Sequence, residues 1–302
     1  MSTTSNAVAA DARWSRLTDF WTDYRQSKIA LIALGIILLI VLMAVFAPVI
    51  SPQDPYNQAT LDLGAARLEP GETGPGGYVH WLGTDAAGRD MFSAILYGLR
   101  TSLMVGLLAG TCALLLGSFV GLLAAYHGGR TEALLMRIID LQLSLPAILL
   151  ALVLVAMLGQ GLLQLVAALS LAQYAYFART AHGAASAERG KDYIEAALAT
   201  PLPALHVLFR HLLPNALPPL LVVATVQVAN AIALEATLSF LGLGLPLTQP
   251  SLGSLISNGF QFLLSGRYWI SVYPGIALMI TVVAINLVGD QVRYVLNPRR
   301  SR

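Results

Sequence analysis

Three carboxylates stand in or beside long apolar runs of this chain: Asp140, Glu235 and Asp290. An ionisable side chain at such a place is costly, and proton relays and ion sites are built from groups of this kind. Asp140 lies two residues into its run and Asp290 just past the end of another. Each has an arginine three positions away, Arg137 and Arg293, so local ion pairs are the simpler account of both. Glu235 is deeper and has no sequence neighbour to pair with, so it is the carboxylate retained as a pathway candidate for ion-coupled transport. His206 and His211, with Glu188 and Glu195 nearby, raise a metal site. Their five-residue separation sets the imidazoles on different helical faces, and neither H-E-x-x-H nor a cysteine cluster accompanies them, so the metal reading is rejected. No nucleophile with a histidine or carboxylate partner stands out at mid-span, which disfavours an intramembrane enzyme. Nor does any G-x-x-x-x-G-K-[ST] occur to cradle ATP.

The elements that would position these residues are apolar. Hydrophobic residues make up 56% of the 302, and charged residues only 11% against about a quarter in soluble domains. The formal charge of +2 is too small to suggest nucleic acid. The single cysteine, Cys112, excludes an intrachain disulfide. Residues 29–49 form an uncharged run of the length a spanning helix needs, too long for a signal-peptide core and without an A-x-A-like site after it. Further runs at 101–126, 138–158 (with Asp140 near its start and Pro146 inside), 162–177 (with Gln164 and Gln173), 217–238 and 270–288 complete six. The stretch 251–266 is too short and polar to span and reads as re-entrant or interfacial. The expected fold is all-α, a polytopic protein of six transmembrane helices.

Charge orients the six. With the N-terminus inside, fourteen of the eighteen basic residues fall on the cytoplasmic side and four (Arg67, Arg89, Arg100, Arg267) outside, in keeping with the positive-inside rule. Both termini are therefore expected in the cytoplasm. Residues 1–28 form a tail that is disordered at first and then, from Arg13, carries Trp14, Leu17, Trp21 and Tyr24 at helical spacing, as a helix lying on the inner membrane surface would. Residues 29–100 hold the first span and a long outer loop. That loop is irregular up to Gly77, and one helical face (Phe92, Ile95, Leu96, Leu99) follows. Residues 101–302 hold the remaining spans. In the second of the six, Gly106, Gly110, Gly117 and Gly121 form two G-x-x-x-G pairs eleven residues apart, close to three helical turns. They make one stripe for close packing against a helix of this chain or another.

Between the fourth and fifth spans lies a polar interruption, "EAALATPLPALHVLFRHLLPN". Asp192 suits an N-cap, with Glu195 three residues on as its capping-box partner. The helix that follows, from Tyr193 to about Ala199, must end before Pro201. Pro203 suits the first turn of a second helix, with Leu205, Leu208, Phe209 and Leu212 on one face, His206 and Arg210 on the other, and Pro214 closing it. Two short helices joined at a stiff corner could dock into another protein; an intracellular loop without a partner is the alternative.

This stretch resembles the EAA motif of ABC importer permeases, with Glu195, Ala196 and Ala197, position 201 where the glycine stands, and a late Leu213-Pro214. More narrowly, "WLGTDAAGRD", "RIIDLQLSLPAILLAL", "FRHLLPNALPPLLV", "EATLSFLGLG" and "NLVGD" resemble the second permease of dipeptide, oligopeptide and nickel importers, in the family's order and over nearly the whole chain from about Phe20. Departures are Pro201 in place of glycine, the extra Pro203, Leu252 where a tryptophan is common, and Tyr294 and Asn297 where acids are frequent.

The resemblance implies the type I importer permease fold and a cytoplasmic coupling region at 188–215 that includes Asp192, Glu195, Ala196, Ala197, Pro201, His206, Arg210 and His211. It implies an inner-membrane permease subunit without catalytic residues or a cofactor of its own. ATP and Mg would be held by two partner ATPase subunits. A homologous second permease and an external solute-binding protein would complete the assembly in the bilayer. The implied cargo is a di- or oligopeptide, with nickel or glutathione as alternatives.

Overall fold

A computed structural model describes residues 18–57, 61, 63–194, 203–246 and 248–296. The expectations for Glu195, Ala196, Ala197 and Pro201, and for Trp14 and Leu17, lie outside these residues. Among the described residues the secondary structure is helical, apart from turns and two isolated antiparallel bridges, Thr73 with Val79 and Thr84 with Asp90.

A helical stretch at 18–24 precedes α1 (Lys28–Val45), whose first turn is capped by Ser27 accepting from Ala30 N at 3.3 Å. Tyr24 is buried, and its hydroxyl donates to Ala30 O at 3.2 Å. A short α2 (Ala47–Ile50) follows, with Pro48 in its first turn, where a missing N–H costs nothing. The next helix, α3 (Met91–His127), is 37 residues long. It absorbs the apolar face expected in the outer loop, because Arg100 does not interrupt a helix that Asp90 has already capped through Ser93 N at 2.8 Å.

The third apolar run is not one straight helix. It divides into α4 (Gly129–Leu143) and α5 (Ala147–Leu158), bent by 94° at a break that ends on Pro146. Proline disfavours helical geometry in the residue before it, here Leu145, and offers no N–H to continue the ladder. Next come α6 (Leu162–Arg189), α7 (Ala204–Val207), a π turn (Leu208–Leu212) and α8 (Leu213–Phe240). The last three run without a gap as a 36-residue unit, Leu205–Phe240. The expectation that Pro214 ends the preceding helix is thereby corrected. Pro214 occupies the first turn of α8, and the register shifts just before it, with Leu213 N donating to Leu208 O in the i to i+5 manner of a π turn.

After α8, the 251–266 stretch folds as α9 (Leu252–Phe260), whose nine residues reach only about 14 Å, with a 3-10 turn (Leu263–Ser265) behind it. Ser251 and Ser254 cap it reciprocally. Finally α10 (Trp269–Val295) runs back along α1, α8 and α9. Four helices, α1, α3, the 36-residue unit and α10, are long and apolar enough to cross a membrane, or five spans if the bent α4–α5 pair counts as one.

The centre of the bundle is α3, packed on α6 and α8. The glycine stripe makes this possible, and both partners belong to this chain. A Cβ at Gly106 would stand 2.5 Å from Ile232 Cγ1 and one at Gly110 2.9 Å from Val228 Cγ2, both on α8. At Gly117 and Gly121 it would enter the α6 backbone, at Tyr174 O and Ala178 O.

The loop between α2 and α3 is ordered by the residues of "WLGTDAAGRD". Gly83 has φ +76°, and a side chain there would run into Leu68 O and the Trp269 indole. Thr84 Oγ1 donates to Ala65 O at 2.5 Å and accepts from Leu68 N at 2.8 Å, while Trp269 Nε1 donates to Thr84 O at 3.2 Å. Asp85 accepts from Ala87 N and Arg89 N at 2.8 and 2.9 Å. Buried His80 Nδ1 meets Asp90 Oδ1 at 3.0 Å, which ties the loop to the start of α3.

Candidate functional site

The end of the bundle from which α6 emerges is built around charged caps. Arg189 Nη1 donates to Ala125 O at 2.8 Å, so a cation from α6 satisfies a carbonyl in the last turn of α3. Glu188 accepts from Lys191 Nζ at 2.6 Å and from Tyr193 Oη at 2.7 Å. Asn215 Nδ2 in turn donates to Tyr193 Oη at 3.1 Å and to His211 O at 2.8 Å. The chain leaving α6 is thus fastened to the start of α8. Bonds from Lys191 and Tyr193 hold the Glu188 carboxyl below its ordinary range, and the bond to Glu188 raises the Tyr193 phenol.

Helical conformation resumes at 192, so exposed Asp192 stands in the first turn rather than ahead of it. A carboxylate there still complements the helix dipole. After residues 195–202, Val207, Leu208 and Leu212 are buried, and the last two pack with Ile194, Leu122 and Phe177. Leu205 and Phe209 point outward instead, at 60% and 53% exposure. The expected single face is therefore divided: the π turn at Leu208–Leu212 breaks the α-helical register on which that face depended. His206 and Arg210 are exposed beside them, and the His206 and His211 rings lie 5.9 Å apart. This end presents apolar and basic side chains together on a well-packed base.

Farther along α8, Glu235 is fully buried where α8, α3 and α9 meet. Its Oε2 accepts from Ser102 Oγ of α3 at 2.8 Å, its Oε1 accepts from Ser239 Oγ one turn on at 2.7 Å, and the N-cap hydroxyl of α9, Ser251, is a further partner. Gly253 allows this convergence, since a Cβ there would enter the α8 backbone at Ala236. Glu235 shares its helical face with Val228 and Ile232, the residues that meet the α3 glycines.

A different face of α8 carries polar groups that the sequence reading did not assemble. A groove of about 240 Å³ is lined by Gln173 and Tyr176 of α6 and by Gln227, Asn230 and Thr237 of α8. With its amide oriented to satisfy both atoms, Gln173 donates to Gln227 O at 3.1 Å and accepts from Ala231 N at 3.2 Å. Asn230 Nδ2 donates to Gln227 Oε1 at 2.8 Å. Such a surface can offer hydrogen bonds to a peptide backbone without a fixed charge. The signal was present as uncharged polar residues three and seven apart within an apolar run.

Neither of the other two carboxylates forms the expected local pair. Asp140 meets Arg179 Nη2 of α6 at 3.0 Å, because the α4–α6 contact brings the guanidinium closer than Arg137 on its own helix. Asp290 makes no ion pair with Arg293 among the described residues, and it lines an open groove between α1 and α10.

Residues 116–302 match the family of binding-protein-dependent transport system inner membrane components, and residues 15–70 match the N-terminal TM domain of oligopeptide transport permease C. Among curated relatives, the probable D,D-dipeptide transport system permease protein of Escherichia coli is 36% identical over 91% of this chain and 89% of its own length. The dipeptide permease of Haemophilus influenzae is 34% identical, covering 94% and 95%. The oligopeptide permease of Bacillus subtilis is 33% identical, covering 98% and 95%. An inward-facing MetNI methionine ABC transporter shares the fold, with a TM-score of 0.54 at 22% identity over 67% of this chain and 96% of its own.

Proposed function

Because the chain belongs to the binding-protein-dependent transport system inner membrane components, we propose that it is the permease subunit of an ABC importer that passes di- or oligopeptides across the inner membrane. The observation that carries the cargo class is the peptide permeases that match this chain along almost their full length. The groove lined by Gln173, Gln227 and Asn230 supports it, since amides serve the donors and acceptors of a peptide bond equally. Nickel, the cargo alternative from the sequence, would call for ligands of a different kind from those amides.

The six-span topology is α1, α3, the bent α4–α5 pair, α6, α8 and α10, with both termini cytoplasmic. On this topology the α6–α8 corner lies inside and the loop held by His80 and Asp90 outside. The exposed Leu205 and Phe209, with His206 and Arg210 beside them, would seat in an ATPase subunit, and Glu195 would cap the neighbouring helix. Two such ATPases, a homologous second permease and an external binding protein complete the machine. ATP and Mg belong to the ATPases, and this chain performs no chemistry.

Reconstituted vesicles provide the test. The full assembly, supplied with loaded binding protein, should accumulate labelled dipeptide only with ATP inside the ATPase compartment. Uptake by this chain and its sister permease on a proton gradient alone would replace the proposal with ion-coupled transport.

A further inference from the structure

Two cavities lie end to end between α1 and α10. The larger, about 570 Å³, is bordered by the polar groups of Gln26, Ser27, Asp290 and Gln291. The second, about 260 Å³, is lined by aliphatic and methionine side chains including Ile32, Ile36, Met279 and Val283. Ile29 and Leu287 border both, so the two form one groove with a polar head and an apolar tail.

The dimensions match one bilayer leaflet. From Asp290 to Met279 along α10 is eleven residues, or about 16 Å of helix, against a leaflet hydrocarbon depth of about 15 Å. The tail opens to the side between two membrane-crossing helices, so its apolar surface continues that of α1, where Ile29 and Ile32 are each 64% exposed. At the head, Asp290 brings a carboxylate that is exposed and has no cationic partner among the described residues. Lys28 precedes lining residue Ile29 in sequence, and Arg293 follows Asp290 by three residues, so two cations are close along the chain to the head of the groove, and neither is ion-paired with Asp290 among the described residues.

We infer that the α1–α10 groove is a binding site for a zwitterionic phospholipid with a primary amine in its headgroup. Its ammonium meets Asp290, its phosphate is reached by Lys28 or Arg293, and one acyl chain lies along Ile32, Ile36, Met279 and Val283. An anionic headgroup has no partner for Asp290 and is disfavoured by it. A bare cation would leave the apolar tail uncovered. The site goes beyond peptide transport, and a lipid there would brace α1 against the rest of the bundle.

The experiment is native mass spectrometry of the full chain with its sister permease and ATPases, delipidated and then titrated with phosphatidylethanolamine, phosphatidylcholine or phosphatidylglycerol. The wild type should retain one phosphatidylethanolamine in preference to phosphatidylglycerol. Asp290→Asn should lower that retention about fivefold and raise that of phosphatidylglycerol, by removing the charge that repels it. Val283→Trp, which fills the tail, should abolish retention while the headgroup charges remain. Equal retention of phosphatidylethanolamine by the wild type and Asp290→Asn would overturn the assignment, as would equal retention of amine and glycerol headgroups by the wild type. A Leu287→Cys chain that cross-links to the sister permease would also overturn it, by showing the groove to be a subunit interface. Preferential phosphatidylcholine binding would refute the primary amine as the recognised group.

Discussion

Glu235 of α8 accepts a hydrogen bond from Ser102 of α3 at 2.8 Å, across 133 positions of sequence. Together with Ser239 and Ser251, this makes the carboxylate a fastening between three helices. Replacing Glu235 by leucine strands buried hydroxyls, each unmet donor costing about 1–3 kcal/mol, so a clear loss of thermal stability in detergent is expected. Glu235→Gln keeps an acceptor oxygen and should lose less. If Glu235 conducted protons instead, Glu235→Gln would abolish gradient-driven uptake and leave stability almost untouched.

The glycines of α3 should be intolerant of side chains in proportion to what they touch. Gly117→Val and Gly121→Val push into the carbonyls of Tyr174 and Ala178, and overpacking of this kind costs about 1–3 kcal/mol or more. Both variants should assemble poorly. Gly35→Ala on α1 meets nothing within 4 Å and serves as the neutral comparison. Yield and melting temperature after purification read the difference.

At the proposed coupling end, Phe209→Asp changes an exposed ring without disturbing buried Leu208 or Leu212. Insertion and pairing with the sister permease should be normal, while co-purification of ATPase subunits falls. On the sequence reading, Glu195→Lys would set a cation near a helix start, a cost of about 0.3–1 kcal/mol that a helical bundle of this size can absorb, and should likewise reduce ATPase stimulation. Pro201→Gly should be tolerated. Wild-type transport by Phe209→Asp would remove this surface from the mechanism.

Acid should loosen the tie between α6 and α8. The Glu188 carboxyl is held below its ordinary range by Lys191 and Tyr193, so its contribution is present above the unfolded-state value. It is lost as pH falls through the lowered folded-state value. Limited proteolysis after α6 should accelerate over that interval. Tyr193→Phe removes one of the two bonds, brings the carboxyl closer to its ordinary range and should move the acceleration to higher pH.

Run length and polarity alone located α1, α8 and α10 and marked 251–266 as too short to cross, because an apolar run of about twenty residues has few other folds open to it. What escaped were properties that depend on neighbours. Pro146 could have kinked a span or broken it, and only the packing of α4 and α5 against α6 separates them by 94°. Arg137 and Arg179 were both available to Asp140, and tertiary approach selected the second. The glycine stripe announced close packing but not that α8 would take one pair and α6 the other. Glu195 and its neighbours, read as the heart of the coupling region, lie outside the described residues, so their part rests on the sequence and the family.

The continuity of Leu205–Phe240 has a mechanical corollary. An unbroken helix of 36 residues is a strut about 54 Å long, stiff against compression along its axis. A displacement imposed at Leu205 would reach Asn230 and Thr237 through continuous helix, with no loop between them. The compliant places in the strut are the π turn at Leu208–Leu212 and the adjacent Pro218 and Pro219, where backbone hydrogen bonds are shifted or missing. All lie on the side of the polar groove nearer Leu205. Under the proposed coupling role, a push at Leu205 would therefore change the strut's angle at its root and carry the half that holds Glu235 with it.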